Sequence, residues 1–375
     1  MPDSLELFGK IPLKLRSTRV WRTYTGGRLI EEWQGRDEPV DSSFPEEWIA
    51  SLVIARNPGR EHIKNEGLSL LDMAGEKSQT LKEAIHSDPV TFLGEQHFAR
   101  YGDNTGVLVK VLDAAERLTI QVHPDAETAD RLFHSSFGKT EAWYILGGRE
   151  INGEPPYVLF GFKPGLTREK WERMFLEQDI EGMIDSLHKI YVKPGEVYLI
   201  EGGIPHAIGP GCFLVEIQEP TDYTIRVERK TPGGLVVPDA LCHQGAGFEQ
   251  MFECFHYECL EEETLMEKWR LKPVIKEVSG NGKVSSLVSY EQTGKFAMDE
   301  IEVYTKMNLM GQNTFSILVV VSGSGNLYCN GYELNILKGD QVFLPYGTGN
   351  FLVANNGEEK LVVIRCYPPN NKELK

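Results

Sequence analysis

The sequence predicts a mainly β protein made of two jelly-roll domains, with a small helical insertion in the N-terminal half. Apolar and polar residues alternate over short stretches that Gly, Pro, Asn and Asp separate, which is the period-2 pattern of antiparallel strands. The pattern lacks a parallel βαβ rhythm, which favours a sandwich or jelly roll over a doubly wound sheet. A faint internal repeat indicates that the same design occurs twice.

The alternating pattern runs along most of the chain. In the first half it is clearest in LKLRSTRVWRTYTGG, LTIQVHP, GEVYLIEGG and CFLVEIQEP. It returns near the C-terminus in FSILVVVSGSGNLYCNGYEL, DQVFLPYG and EKLVVIRCYP. Sheet is therefore expected to dominate the fold.

Two stretches show helical spacing instead. The first is SQTLKEAIHSDPVTFLG near residue 80, and the second is LTREKWERMFLEQDIEGMIDSLHKI. The second carries apolar stripes at helical spacing, formed by Trp171, Met174, Phe175, Ile180, Met183, Ile184 and Leu187. We expect helices packed against a β core, with the insertion covering about residues 166–189.

The internal repeat relates two strand-turn-strand segments. Aligned without gaps, VYLIEGGIPHAI (197–208) matches VFLPYGTGNFLV (342–353) in apolar pattern, and His206 falls opposite Phe351. We expect a C-terminal domain without metal ligands, because its counterpart of the polar residue is aromatic. The loop-like ERKTPGG and CHQGAGFEQM place the predicted boundary near residue 250, giving domains 1–250 and 251–375.

Composition excludes several classes of protein. The net charge is −16 and no long basic stripe occurs, so nucleic acid is not an expected partner. No apolar run approaches the 18 or so residues of a membrane span, and the N-terminus lacks a signal-peptide pattern, so we expect no membrane association and a cytoplasmic location. The six cysteines form no C-x-x-C pair and are read as reduced thiols. A small anionic ligand would need a local cluster of Lys or Arg.

Three separated segments each offer a possible metal ligand. In LTIQVH, Leu118, Ile120 and Val122 share one predicted strand face, so Gln121 and His123 project from the other; Glu141 and His206 follow in TEAWYIL and GGIPHAIG. Neutral imidazoles and a carboxylate suit Zn²⁺ and related divalent ions. Spacing alone leaves the alternative of hydrogen-bonded histidines and a surface carboxylate open.

The motif order carries more information than the spacing. The strings QVHPD, GKTEAWYIL, PHAIG and EIQEPTDYTIRV occur in this order and closely resemble the type I mannose-6-phosphate isomerases, which belong to the cupin superfamily. The resemblance is clear from EEWIAS to TIRVE, and beyond residue 230 it is only a cupin-like pattern. It implies two cupin-type jelly rolls, the first of which binds one zinc ion per chain.

The resemblance also implies roles for individual residues. His123, Glu141 and His206 would bind zinc, with Gln121 either a fourth ligand or a neighbour that orients one. Arg226 would stabilise the enediol intermediate, Lys139 would line the same cavity, and Trp48 and Ser51 of EEWIAS would border it. Without the resemblance, Arg226 reads as a strand-surface arginine and Lys139 as a solvated turn lysine.

The implied reaction is the interconversion of mannose 6-phosphate and fructose 6-phosphate, a phosphosugar isomerisation. Negative charge grows on oxygen as a proton moves between C1 and C2, so zinc and Arg226 would lower the barrier. Glu216, Lys139 and a water on the zinc are the candidate proton carriers, and a salt-bridged structural role is the alternative for Glu216.

Two departures leave the substrate open. Ile49 stands where the family usually has an acidic residue after the tryptophan, and VERKTPGG follows Arg226 where many relatives continue with a YDWDR-like stretch. A non-catalytic cupin that senses sugar or metal, or a related metal cupin enzyme acting on another sugar, are the alternatives. An iron oxygenase ranks last because such cupins commonly use H-x-H, and this chain has Q-x-H. The oligomeric state is left open.

Overall fold

A computed structural model describes residues 7–57, 59–72 and 79–370. The N-terminal segment in which no signal-peptide pattern was found begins outside these ranges, because residues 1–6 are not described. Ser78, the first residue of the first predicted helical stretch, also lies outside them. Strands predominate and assemble into four sheets, which form two jelly rolls in sequence. No helix among the described residues combines the length and apolar character that a membrane span requires.

The first roll consists of a seven-stranded and a five-stranded sheet. After the short β1 (Leu13–Lys14), its strands are β2 (Arg19–Val20), β3 (Glu46–Ile49), β4 (Leu108–Asp113), β5 (Gln121–Val122), β6 (Glu141–Gly148), β7 (Tyr157–Phe162), β8 (Leu187–Tyr191), β9 (Val197–Ile200), β10 (His206–Ile208), β11 (Cys212–Gln218), β12 (Ile225–Arg226) and β13 (Arg270–Leu271). The larger sheet has the order β13-β9-β6-β11-β4-β3-β2 and the smaller one β12-β5-β10-β7-β8.

The second roll repeats this design with a seven-stranded and a four-stranded sheet. Its further strands are β14 (Val274–Ser279), β15 (Gly282–Val288), β16 (Ala297–Val303), β17 (Lys306–Leu309), β18 (Ser316–Ser322), β19 (Ser324–Cys329), β20 (Tyr332–Leu337), β21 (Gln341–Leu344), β22 (Phe351–Asn355) and β23 (Leu361–Tyr367). The orders are β1-β21-β18-β23-β16-β15-β14 and β17-β22-β19-β20, so β4, β6, β9, β10 and β11 correspond to β16, β18, β21, β22 and β23.

The repeat is therefore structural, but the ungapped alignment of its segments is wrong by one residue in the first strand. Val197 points into the core between the two rolls, whereas Val342, its partner in that alignment, points into the interior of the second roll. A shift of one residue in a strand moves every side chain to the other face. His206 and Phe351 still correspond, because each is the first residue of its strand.

The helices lie around the sheets. They are α1 (Arg28–Trp33), α2 (Leu81–Ser87), α3 (Pro89–Leu93), α4 (Glu95–Tyr101), α5 (Ala126–Phe133), α6 (Arg168–Glu177), α7 (Ile180–Asp185), α8 (Asp239–His243), α9 (Phe248–Met251) and α10 (Glu262–Trp269). Thr80 and Glu83 form a capping box that begins α2 within the first predicted helical stretch.

The second predicted helical stretch is helical only in part. Its helices α6 and α7 bury Trp171, Phe175 and Met183 against the small sheet, but its last residues, from Leu187, form strand β8. The reason is pairing, because Leu187 and Ile190 lie opposite Phe162 and Val158 of β7 and are buried on the two faces of the small sheet. Tertiary packing overrides the helical apolar spacing here.

The two larger sheets pack against each other and form a shared core. This core joins Val215 and Ile217 of β11 to Ile364 and Cys366 of β23. The chain also crosses between rolls, since β1 pairs with β21 and β13 pairs with β9. The boundary predicted near residue 250 stays a prediction; strand pairing alone would place it after Leu271, because β13 still belongs to the first roll.

Candidate active site

Three side chains of metal-ligating type meet at one end of the first roll. His123 follows β5, Glu141 begins β6 and His206 begins β10, where it lies opposite Gln121 in the strand register. The donor atoms of the three residues lie within 4.8 Å of one another, and all three side chains are buried. The residues that the motifs singled out from three separate segments therefore come together.

Backbone hydrogen bonds orient the two imidazoles. His123 Nδ1 lies 2.8 Å from the carbonyl oxygen of Tyr223, and His206 Nδ1 lies 2.8 Å from that of Ile204. A carbonyl can only accept, so Nδ1 carries the proton in each ring and Nε2 presents a lone pair. These Nε2 atoms lie 3.2 Å and 3.5 Å from the Glu141 carboxylate oxygens.

The surroundings keep each donor in its metal-binding protonation state. Burial, with the Lys139 ammonium in addition, lowers the pKa of His123 to about 3, and burial also lowers the pKa of His206. Burial alone would raise the pKa of Glu141, but Lys139 and His123 hold it well below its usual value. At neutral pH the set is two neutral imidazoles and one carboxylate.

This donor set fits a divalent metal ion. Two bonds of about 2.0–2.1 Å that meet at a tetrahedral angle separate ligand atoms by about 3.4 Å, close to the separations seen here. The Lys139 ammonium lies 2.7 Å from His123 Nε2 and also donates to Glu141, so a cation is held at this point. Trp143 Nε1 donates to the other Glu141 oxygen at 3.0 Å and fixes the carboxylate.

Gln121 lies beside this set. Its amide nitrogen is 3.2 Å from His206 Nε2, and its side chain is partly buried. Rotation of the amide would direct its oxygen to the same point, so both predicted roles, ligand and orienting neighbour, are compatible with its position.

Leu118 does not share a face with Ile120 and Val122 as predicted, because regular pairing of this strand is confined to β5.

A cavity next to the donor set gathers further predicted residues. Gln121, Lys139, Glu216 and Arg226 all line it. Arg226 Nη1 donates to the carbonyl oxygens of Thr224 at 3.0 Å and Leu241 at 3.2 Å. Among the described residues no carboxylate lies within ion-pair distance of Arg226, so its charge is available to a ligand.

Sequence reasoning allowed a salt bridge for Glu216 but missed its partner in the same cavity, Lys110. Lys110 Nζ donates to Glu216 Oε1 at 2.8 Å, and both residues are buried. Burial and the nearby Glu141 charge raise the pKa of Glu216. Burial would lower the pKa of Lys110, but Glu216 and Glu46 outweigh it and raise that pKa. The available signal was a lysine within the apolar strand LVKVLD.

A second pair that sequence reasoning missed lies in the cavity wall. Both terminal nitrogens of Arg22 donate to the Asp222 carboxylate, at 3.0 Å and 3.2 Å, and Arg22 Nε lies 3.0 Å from Glu46. Burial would raise the pKa of Asp222, but Arg22 lowers it well below its usual value. No local sequence pattern predicts this pair, because 200 residues separate Arg22 from Asp222.

Trp48 and Ser51, predicted to border the pocket, do not line the cavity. Both side chains are fully buried. The Trp48 ring lies beneath Arg22 and Lys110, at 4.9 Å and 5.2 Å from its centroid, so it supports two cavity cations from below. Ser51 turns back to the backbone oxygen of Val53. Their predicted substrate contacts are therefore not supported by their positions.

Comparison with known proteins identifies relatives of one kind. Residues 69–140 match the family description "Phosphomannose isomerase type I, catalytic domain", and residues 286–366 match "Mannose-6-phosphate isomerase, cupin domain". The mannose-6-phosphate isomerase ManA of Bacillus subtilis is 25% identical over 260 residues, which cover 68% of this chain and 74% of that protein. The mannose-6-phosphate isomerase of Streptococcus mutans is 30% identical over 221 residues, 58% of this chain and 60% of that protein.

A solved structure agrees with the fold. The crystal structure of the mannose 6-phosphate isomerase from Bacillus subtilis matches with a TM-score of 0.73 and 22% identity, and the match covers 95% of this chain and 99% of that chain. At this identity the likeness shows the fold, and it confirms the predicted mainly β, cupin-type architecture. The sequence matches confirm the predicted resemblance and the predicted class of protein, an isomerase.

Proposed function

We propose that this chain, which resembles the type I mannose-6-phosphate isomerases in sequence and fold, is a zinc-dependent isomerase that interconverts mannose 6-phosphate and fructose 6-phosphate. One observation carries the proposal: the His123, Glu141 and His206 donors adjoin the cavity that holds Arg226 and the Lys110–Glu216 pair. A metal site, a free cation and a carboxylate with a raised pKa are the groups that a proton transfer between adjacent carbons requires.

Zinc is the metal that the donors favour. Two imidazole nitrogens and one carboxylate form the three-ligand set typical of catalytic zinc sites, which leave a position open. His123, Glu141 and His206 would hold the ion, and Gln121 is near enough to join them. When bound, zinc would act as a Lewis acid on the sugar oxygens. Lys139, which then loses its contacts with His123 and Glu141, would turn into the cavity that it already lines.

Arg226 would stabilise the developing oxyanion. The enediolate carries negative charge at the oxygens of C1 and C2, and a preorganised cation there lowers the barrier. Two backbone carbonyls fix one guanidinium nitrogen, which leaves the other donors for the substrate. Burial lowers the pKa of Arg226, yet an arginine keeps its charge throughout the physiological range.

Glu216 is the first candidate for the proton carrier. Its raised pKa brings the carboxyl group closer to neutrality, where both accepting and returning a proton are efficient. Lys110 holds the carboxylate at 2.8 Å and so fixes its position in the cavity wall. Lys139 is the second candidate, because it lines the cavity and contacts the donor set.

The charge of the cavity suits a phosphosugar. Five cations line it, namely Arg22, Lys110, Arg117, Lys139 and Arg226, against the three carboxylates Glu46, Glu216 and Asp222. Arg117 and Lys139 are paired with Glu228 and Glu141, so Arg226 and a bound divalent ion would supply the positive charge that opposes the net charge of −16. The cavity therefore contains the cluster of Lys and Arg that an anionic ligand requires.

The test combines metal analysis with turnover of mannose 6-phosphate by the full chain. We expect about one zinc per chain and measurable isomerisation, and we expect Arg226→Ala to keep its zinc while kcat falls by about 10²–10³-fold. A zinc-loaded protein that binds the sugar without turning it over would reject the proposal in favour of a sensor. Turnover of a different phosphosugar alone would reject the proposed substrate.

A further inference from the structure

The second roll contains a cavity of its own, with a volume of about 810 Å³. It is lined on its inner side by Ser286, Asp299, Arg365 and Tyr367, and apolar residues such as Ile301 and Leu309 continue its wall. Its volume lies within the range of small-molecule sites, which combine apolar walls with a few placed polar groups. None of these residues belongs to the cavity of the first roll.

Three of the polar residues that line this cavity form one row across three neighbouring strands. The register pairs Ser286 of β15 with Asp299 of β16, and Asp299 with Arg365 of β23. Residues directly opposite each other in an antiparallel pair lie on the same face of the sheet. This face looks into the roll, where a core position would normally be apolar.

Arg365 is a buried cation that forms no ion pair with any described residue. It is 4% exposed, its Nε donates to Ser316 Oγ at 3.0 Å and its Nη1 to the carbonyl oxygen of Met310 at 3.0 Å. The guanidinium lies over the rings of Phe351 and Tyr367, at 5.0 Å and 4.9 Å. Within the described residues no carboxylate reaches ion-pair distance of Arg365, although a buried charge is costly unless it is paired.

The neighbouring groups leave this charge uncompensated and offer further contacts. Asp299 is already engaged, because it accepts from Lys276 at 2.7 Å and from the Tyr367 hydroxyl at 3.0 Å. The hydroxyl of Ser286 is buried and has no hydrogen-bond partner, and the hydroxyl of Thr314 on the cavity wall has none either. Buried polar groups beside a cation need partners that the surrounding residues do not supply, and a polar ligand or water would provide them.

The position of Arg365 in the fold strengthens this argument. Arg365 is the fifth residue of the seven-residue β23, as Glu216 is of the seven-residue β11, and their partners Asp299 and Lys110 are each the third residue of their strands. The second roll thus places a carboxylate and a cation at the corresponding register positions with the charges exchanged, and within the described residues the two form no ion pair. Its fixed cation is a guanidinium beside Phe351, the counterpart of His206.

We propose that the cavity of the second roll binds a small hydroxylated anion, a sugar acid or a sugar phosphate. The anionic group would bind Arg365, and hydroxyl groups would bind Ser286, Thr314 and the free lone pairs of Asp299. Lys272 and Lys276 line the same cavity, together with the exposed carboxylates Glu277 and Glu291. This site is separate from the proposed isomerase site, so an experiment can refute either proposal without affecting the other.

The test is calorimetric titration of the full chain with gluconate, inorganic phosphate and sorbitol in separate experiments. We expect one binding site per chain for gluconate or phosphate and none for sorbitol, and the better ligand identifies a carboxylate or a phosphate site. Arg365→Met is expected to weaken binding at least 10-fold and Ser286→Ala about 3-fold or more. Arg226→Ala, in the first cavity, is expected to leave this binding unchanged.

Ser285→Ala is the matched control, because Ser285 is equally buried on the same strand but does not line the cavity. Ser286→Ala removes a hydroxyl without a partner, so it keeps the test informative if Arg365→Met does not fold. Absence of binding by both anions up to about 10 mM would overturn the proposal. So would binding that Arg226→Ala abolishes or that Ser286→Ala leaves at full strength.

Discussion

Lys110 and Glu216 lie directly opposite each other on β4 and β11, and their side chains form an ion pair of 2.8 Å that is almost entirely removed from water. Each is about 4% exposed at the side chain, and both face the cavity beside the His123–Glu141–His206 set. A pair of this kind is weak support for stability but holds two charged groups in fixed positions. Its role is therefore best tested by separating activity from stability.

Replacing Glu216 with Gln is expected to lower kcat by about 10²–10⁴-fold if the carboxylate carries the proton. It also leaves Lys110 buried with only the more distant Glu46, so stability should fall as well. Steady-state kinetics and urea unfolding measure the two effects. The double variant Lys110→Met/Glu216→Met should recover stability but not activity; recovery of both would assign the pair a structural role only.

Replacing His206 with Ala is expected to remove bound metal and activity together, because Glu141 and His123 alone leave the metal with too few ligands. Metal content by elemental analysis, with isomerase assays, is the measurement. His188→Ala is the control: His188 is buried in β8 and bonds the Leu260 carbonyl oxygen, outside the cavity. Metal loss in the His188 variant but not in the His206 variant would contradict the assigned site.

The pH dependence of stability should carry a contribution from His97 of α4. Burial lowers its pKa to about 4, while an unfolded histidine has a pKa near 6.5, so the unfolded chain binds more protons between these values. Stability is then lost as the pH falls from about 6.5 towards 4, by about 3 kcal/mol from this group.

Unfolding by urea between pH 7 and 4.5 measures this effect. His97→Gln should flatten the profile, because the variant lacks the imidazole that takes up a proton when the chain unfolds. In the folded protein this ring packs edge-on against Phe315 of the second roll. His86→Gln, an exposed neighbour in α2, serves as the control and should leave the profile nearly as it is. Equal profiles for wild type and His97→Gln would refute the assignment.

Replacing Arg22 with Met is expected to destabilise the fold by about 3–5 kcal/mol, because Asp222 and Glu46 then remain buried without their cation. Thermal and urea unfolding measure the loss. Arg28→Met breaks an exposed pair with Glu32 in α1 and should cost no more than about 0.5 kcal/mol. A similar cost for the two variants would show that water reaches the Arg22–Asp222 pair.

Much of the site was predictable because local patterns carry it. His123, Glu141 and His206 stand in short motifs whose residue types suit a metal, and the structure brings them within reach of one another. Arg226 and Glu216 were also singled out, and both line the cavity. Lys110 was not singled out although it interrupts the apolar strand LVKVLD, and Trp48 was expected at the rim although it lies beneath two cations.

What the sequence alone determined is local: the strand periodicity, the two-roll design and the short motifs that single out His123, Glu141 and His206 as candidate metal ligands. The tertiary structure decided which distant residues meet. The register sets Gln121 opposite His206, and the chain fold brings Arg22 to Asp222. It also buries Arg365 where no carboxylate of the described residues reaches ion-pair distance. The physical reason is that such contacts depend on strand order and on single-residue register, which no local stretch of the sequence specifies.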